Sequence, residues 1–93
     1  MVTVLMTHEV DDLKHWLASP HRGPAFASVG FTVETFVDPT ATNKVGIVLE
    51  GPSLDELQSL LDSPFAADVM KRDGVRPETI VTYVHQGPLK VVT

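Results

Sequence analysis

The chain has 93 residues, 43% of them apolar, no cysteine and a formal charge of −5. That length supports one domain with a thin core, burying about 60–65% of its unfolded surface. The composition argues against disorder, a disulfide framework and a thiolate nucleophile, and the acidic balance without a Lys/Arg stripe argues against nucleic-acid binding.

The opening MVTVLMTHEVDD has neither a basic region nor a long apolar run. It reads as no signal peptide and no membrane span, and a cytoplasmic location is expected. Val2–Glu9 is rich in β-branched residues, with Val2, Val4, Met6 and His8 on one face, and reads as a strand. Asp11 or Asp12 then caps a helix whose Leu13, Trp16 and Leu17 form one apolar stripe. Pro20 and Gly23-Pro24 break it, and Pro24 suits the first position of a second piece reaching about Ser28. Phe31–Val37 reads as the second strand, Asp38–Asn43 as a turn, and Val45–Glu50 as the third strand, closing a hairpin.

Ser53 and Glu56 make a capping box ahead of Leu54, Leu57, Leu60 and Leu61 at helical spacing. Ser63-Pro64 restarts the helix, and Gly74 ends it in a left-handed closing turn. Thr79–His85 reads as the fourth strand. Residues 1–86 are thus one domain and 87–93 a tail. Its Val91 and Val92 are expected to pack on something, a partner chain being one choice.

Residues 1–37 repeat as 45–81 at an offset of 44 without a gap, with eleven of the 37 pairs identical. Two copies in a chain of this length predict one pseudo-symmetric domain rather than a solenoid, which needs at least three copies. The order β-α-β-β-α-β is the split βαβ, or ferredoxin-like, motif of the α+β class. Right-handed crossovers predict both helical segments on one face of an antiparallel sheet of strand order 4-1-3-2. The other face would then carry Leu5, Phe36, Val48 and Tyr83. Covering those apolar groups predicts a homodimer, sheet against sheet.

The first strand into HEVDDLKHW, the hairpin GFTVETFVDPTATNKVGIVLEG and the SPFAADVMKRDGV segment resemble the dimeric α+β barrel superfamily over about residues 1–86. That superfamily includes small cofactor-independent monooxygenases, muconolactone isomerase-like proteins and polyketide cyclase-like proteins. The resemblance implies a dimer, no cofactor, and a pocket between helices and sheet within each protomer. Haem-degrading members use a histidine on the second long helix, and residues 53–73 contain none; Asn43, the one asparagine, falls in the hairpin turn.

Where the halves differ, chemistry can be sought. His8, His15 and His21 face Pro52, Ser59 and Phe65 in the repeat, Trp16 faces Leu60, and Arg22 faces Ala66. His8 and His15 are therefore the candidate acid/base pair, with Asp11 or Asp12 placed to orient the His15 ring. Met6, Asp12 and Trp16 are candidate substrate contacts, and Tyr83 is a candidate hydroxyl donor to a ligand. The same residues have plainer readings: Asp11 and Asp12 as caps, Trp16 as core, His15 as surface, and His21-Arg22 as solvated loop. His85 belongs to the other end of the sheet. A metal on His8, an aspartate and His15 would match no established spacing. GxSxG, Walker, GxGxxG and HExxH motifs are all missing from the sequence. Two functions stay open: a cofactor-independent enzyme acting on a small apolar or aromatic molecule, or a non-catalytic ligand-binding or assembly module.

Overall fold

The computed structural model describes residues 1–88. The element order is β1 (Val2–Val10), α1 (Leu13–Leu17), α2 (Arg22–Ala27), β2 (Thr32–Val37), β3 (Lys44–Gly51), α3 (Leu54–Leu61), α4 (Pro64–Asp73) and β4 (Val75–Val84). The four strands form one antiparallel sheet in the order β2-β3-β1-β4, the ferredoxin-like arrangement expected from the repeat. Val91 and Val92 lie outside the described residues.

The strand faces separate as period-two alternation requires. Val4, Met6, His8 and Val10 of β1, with Val45, Ile47 and Leu49 of β3, pack beneath the helices against Trp16, Phe26 and Leu57. On the opposite face Leu5 pairs with Val48 and Tyr83, and Phe36 lies across from Gly46. No helix among the described residues covers that side: Phe36 is 51% exposed and Tyr83 56%.

Local signals set the helix ends. The Asp12 carboxylate accepts from the His15 amide at 3.0 Å, and the Ser53 hydroxyl accepts from Glu56 at 3.3 Å. Pro64 opens α4 behind the Ser63 cap, and Gly74 closes it at φ 72°. Gly51 has a different task. A Cβ there would lie 2.5 Å from the Phe31 ring, so only glycine lets this buried ring lie flat on β3.

The ends of β1, β2 and β3 move by one residue from the sequence expectation, and three further boundaries differ at α2 and β4. α2 opens at Arg22, which puts Pro24 third rather than first, still within the turn whose amides lack intrahelical acceptors. The fourth strand starts at Val75, not Thr79, because left-handed Gly74 turns the chain directly back into the sheet. It also ends at Val84, although the His85 amide still donates to the Thr3 carbonyl at 2.9 Å. Pro77, which suggests a break, sits in a bulge where the β1–β4 register slips between Thr7 and Glu9. Thr79 repairs the gap: its Oγ1 accepts from the Glu9 amide at 2.8 Å and donates to the Arg76 carbonyl at 2.6 Å. No helix among the described residues is long and apolar enough to cross a membrane.

Candidate functional site

The sheet and helices border a cavity of about 60 Å³ between β1, the α1–α2 corner and α4. Its walls are mostly aliphatic, and its polar groups come from four residues: His8, Trp16, Arg22 and Asp73. β1 delivers His8 because the residue continues the inward-facing series Val4, Met6, His8. α1 delivers Trp16 from its apolar stripe, fully buried. The Trp16 and His8 rings meet edge to face, 5.6 Å between centroids and 75° between planes.

The Arg22 guanidinium lies over the Trp16 ring, 4.0 Å from its centroid. It donates to the Trp16 carbonyl at 3.1 Å and stands 3.9 Å from the Asp73 carboxylate. The Arg22 side chain is 13% exposed and that of Asp73 4%, so the pair is nearly dry. Ser19 completes the knot, donating to Asp73 Oδ1 at 2.6 Å and accepting from the His21 amide at 3.1 Å. Arg22 is therefore no solvated loop residue: the break at Pro20 folds α2 back over Trp16 and buries it. Burial lowers the Arg22 pKa and the Asp73 carboxylate opposes that, leaving the guanidinium charged at neutral pH.

His8 is 7% exposed. Burial first, and then the positive charge of Arg22, hold its pKa below the ordinary 6.5, so the ring is neutral at pH 7. Neither of its nitrogens has a hydrogen-bond partner, nor has Trp16 Nε1. These three are the only buried side-chain nitrogens or oxygens without a partner among the described residues, and both side chains line the cavity. Buried polar atoms are normally paired, and each orphan costs about 1–3 kcal/mol. The three atoms make this end of the cavity a candidate site for a polar contact. A neutral imidazole there can accept a proton or hydrogen bond at one nitrogen and donate from the other.

Of the other sequence candidates, Met6 shares the cavity and Asp12, His15 and Tyr83 lie elsewhere. Met6 lines the cavity beside His8 and Trp16. Asp12 does not; its carboxylate is engaged as the α1 cap. His15 is exposed on α1, and its Nε2 donates to the Arg72 carbonyl at 2.6 Å, tying α1 to the end of α4. Tyr83 is on the uncovered face of the sheet, with the sheet itself between it and the cavity. No cluster of three potential metal ligands occurs among the described residues. Sequence reasoning passed over Asp73 and Ser19. A signal for Asp73 was available, since at the repeat offset it faces Val29, an acid against an aliphatic residue.

No protein-family model matches the chain, and no curated protein sequence does either. Solved structures do. A proposed antibiotic biosynthesis monooxygenase from Deinococcus radiodurans is similar at a TM-score of 0.50 and 14% identity, over 100% of this chain and 98% of its own. A protein from Arabidopsis thaliana is similar at a TM-score of 0.52 and 11% identity, over the whole of both chains. At these identities the likeness establishes the fold, the α+β arrangement expected from the sequence.

Proposed function

We propose that this chain is a homodimeric small-molecule-binding protein. Its cavity holds an apolar or aromatic metabolite bearing at least one hydrogen-bonding oxygen. The observation that carries this reading is the group of three orphaned polar atoms on His8 and Trp16, gathered at one largely aliphatic cavity. A ligand oxygen could accept from Trp16 Nε1 or from the protonated His8 nitrogen, and a ligand hydroxyl could donate to the other His8 nitrogen. At about 60 Å³ the space is smaller than the roughly 150 Å³ of an engineered cavity that takes benzene, so a ring must displace side chains to enter. Met6 and Met70, unbranched and adaptable, are the walls able to yield.

Chemistry at this site would run through His8. As a neutral base in dry surroundings it could take a proton from an acidic C–H or O–H of the ligand. Arg22, charged and nearby, would then stabilise the resulting anion. Isomerisation, cyclisation and cofactor-independent oxygenation all begin with such a step. The description of the Deinococcus radiodurans protein makes oxygenation the first reaction to try. The test is turnover of a panel of phenolic and polyketide-like compounds by the unmodified protein and by His8→Ala. Lost turnover with an unchanged melting temperature supports the assignment; unchanged turnover removes His8 from the mechanism.

A second reading, a binding module without catalysis, is favoured by the position of His15. With that ring held by the Arg72 carbonyl, His8 is the cavity's one histidine and has no second imidazole beside it. Saturable thermal stabilisation by a metabolite, without turnover, would decide for it. The dimer belongs to both readings. Leu5, Phe36, Val81 and Tyr83 are exposed together on the uncovered sheet face, an apolar patch suited to its own two-fold copy.

A further inference from the structure

Next to the cavity runs an open groove of about 640 Å³, bounded by α3, α4 and β4. Cavity and groove share Met6, Leu61, Met70, Val75 and Ile80, so the same thin layer of side chains is the wall of both. Met6 is buried in this layer and Met70 half-buried. Thioether chains rotate about several bonds at little cost, which makes these two the part of the wall able to open. Beyond it the groove turns polar, with Gln58, Lys71 and Thr82 along its margin. Among the described residues Lys71 is the only charged one lining it, in a chain whose net charge is −5.

We propose that cavity and groove are two halves of one elongated site, with Met6 and Met70 as the partition between them, and that its ligand is a straight-chain carboxylic acid with an oxygen function remote from the carboxylate. The inference rests on the cavity being the ligand site, as proposed above, and adds the route of access and the ligand class. The carboxylate stays in the groove against Lys71. The methylene chain, narrow enough to pass two displaced methionines, crosses the partition. The distal oxygen reaches His8 and Trp16, which the cavity otherwise leaves without partners. This accounts for a cavity too small to hold a whole metabolite beside a groove that could hold most of one.

The experiment uses the full chain and reads the emission of Trp16, the single tryptophan. Plain and terminally hydroxylated straight-chain acids are titrated as a length series. Affinity is expected to rise about fourfold per methylene while each added carbon is buried, then level off. At the best length the hydroxy acid should bind about three- to tenfold tighter than the plain acid, and His8→Phe should erase that difference. Lys71→Gln, an exposed change that spares the core, should weaken every acid by a similar factor and leave the matching alcohols unaffected. Binding that ignores chain length, or acids indifferent to Lys71→Gln, overturns the elongated site. If a simple phenol still shifts Trp16 emission in a His8-dependent way, the parent reading survives that failure. If no compound shifts it, both fall.

Discussion

Replacing His8 by phenylalanine should make the ligand-free protein more stable while abolishing its function. The imidazole nitrogens are buried without partners, and a buried unsatisfied polar group costs about 1–3 kcal/mol. Phenylalanine keeps the edge contact with Trp16 and removes both nitrogens. Its larger ring has the adjoining cavity of about 60 Å³ to grow into, which limits overpacking. A gain of about 1–2 kcal/mol is expected at pH 8, or about 4–16 °C in melting temperature for a domain of this size. The pH dependence gives a second handle. The folded-state pKa of His8 lies below 6.5, so under acid conditions the unfolded chain takes up its proton first. Stability from this group is complete above about pH 6.5. It falls as the pH drops toward the folded-state value, by at most about 1.4 kcal/mol per pH unit. In the phenylalanine variant that slope should vanish, so its advantage widens from pH 8 to pH 5.5. Urea unfolding at the two pH values measures both effects. A variant less stable than the parent by more than 1 kcal/mol would refute the reasoning, since it would mean that the His8 nitrogens are satisfied in the resting protein.

Asp73→Asn should cost about 3 kcal/mol in urea unfolding, because it leaves the nearly buried Arg22 charge without its counter-charge; a cost below 1 kcal/mol would mean that the pair is solvated. Gly51→Ala should cost about 1–3 kcal/mol by pressing on the Phe31 ring, and adding Phe31→Leu should recover part of the loss in a double-mutant cycle. The parent is expected to sediment as a dimer at micromolar concentration and Phe36→Glu with Tyr83→Glu as a folded monomer; a parent of single-chain mass would remove the dimer.

The sheet was legible in the sequence because alternation is a local property. Each strand shows its inner face without knowledge of its neighbours, and the 44-residue offset supplies the topology. Strand ends were less so, as the fourth strand illustrates. Pro77 lacks an amide and argues for a loop, yet the strand keeps it by bulging and letting the Thr79 hydroxyl stand in for the missing rung. Spacing along α1 also placed Asp12 and His15 correctly as neighbours. It could not tell that the carboxylate takes the His15 amide rather than the ring, nor that the ring reaches across to α4.

The repeat and the cavity are related. Its four polar residues, His8, Trp16, Arg22 and Asp73, sit at repeat positions occupied in the other half by Pro52, Leu60, Ala66 and Val29. Each of those counterparts is nonpolar, so at all four positions one copy of the repeat keeps a nonpolar residue where the other has charge or hydrogen-bonding capacity, three times in the first half and once, at Asp73, in the second. Ser19 and Ser63 are identical across the repeat and show the same divergence in their bonds. Ser63 caps α4, accepting from the Ala66 amide at 3.1 Å and donating to the Leu60 carbonyl at 2.6 Å. Ser19 gives its proton to Asp73 instead, and α2 begins without a side-chain cap. A serine-to-alanine loss at a cap costs about 1 kcal/mol. In the first half the same hydroxyl still accepts an amide, that of His21, and what differs is its proton, which goes to a buried carboxylate under an arginine. A ligand held near Arg22, as proposed above, would account for that difference.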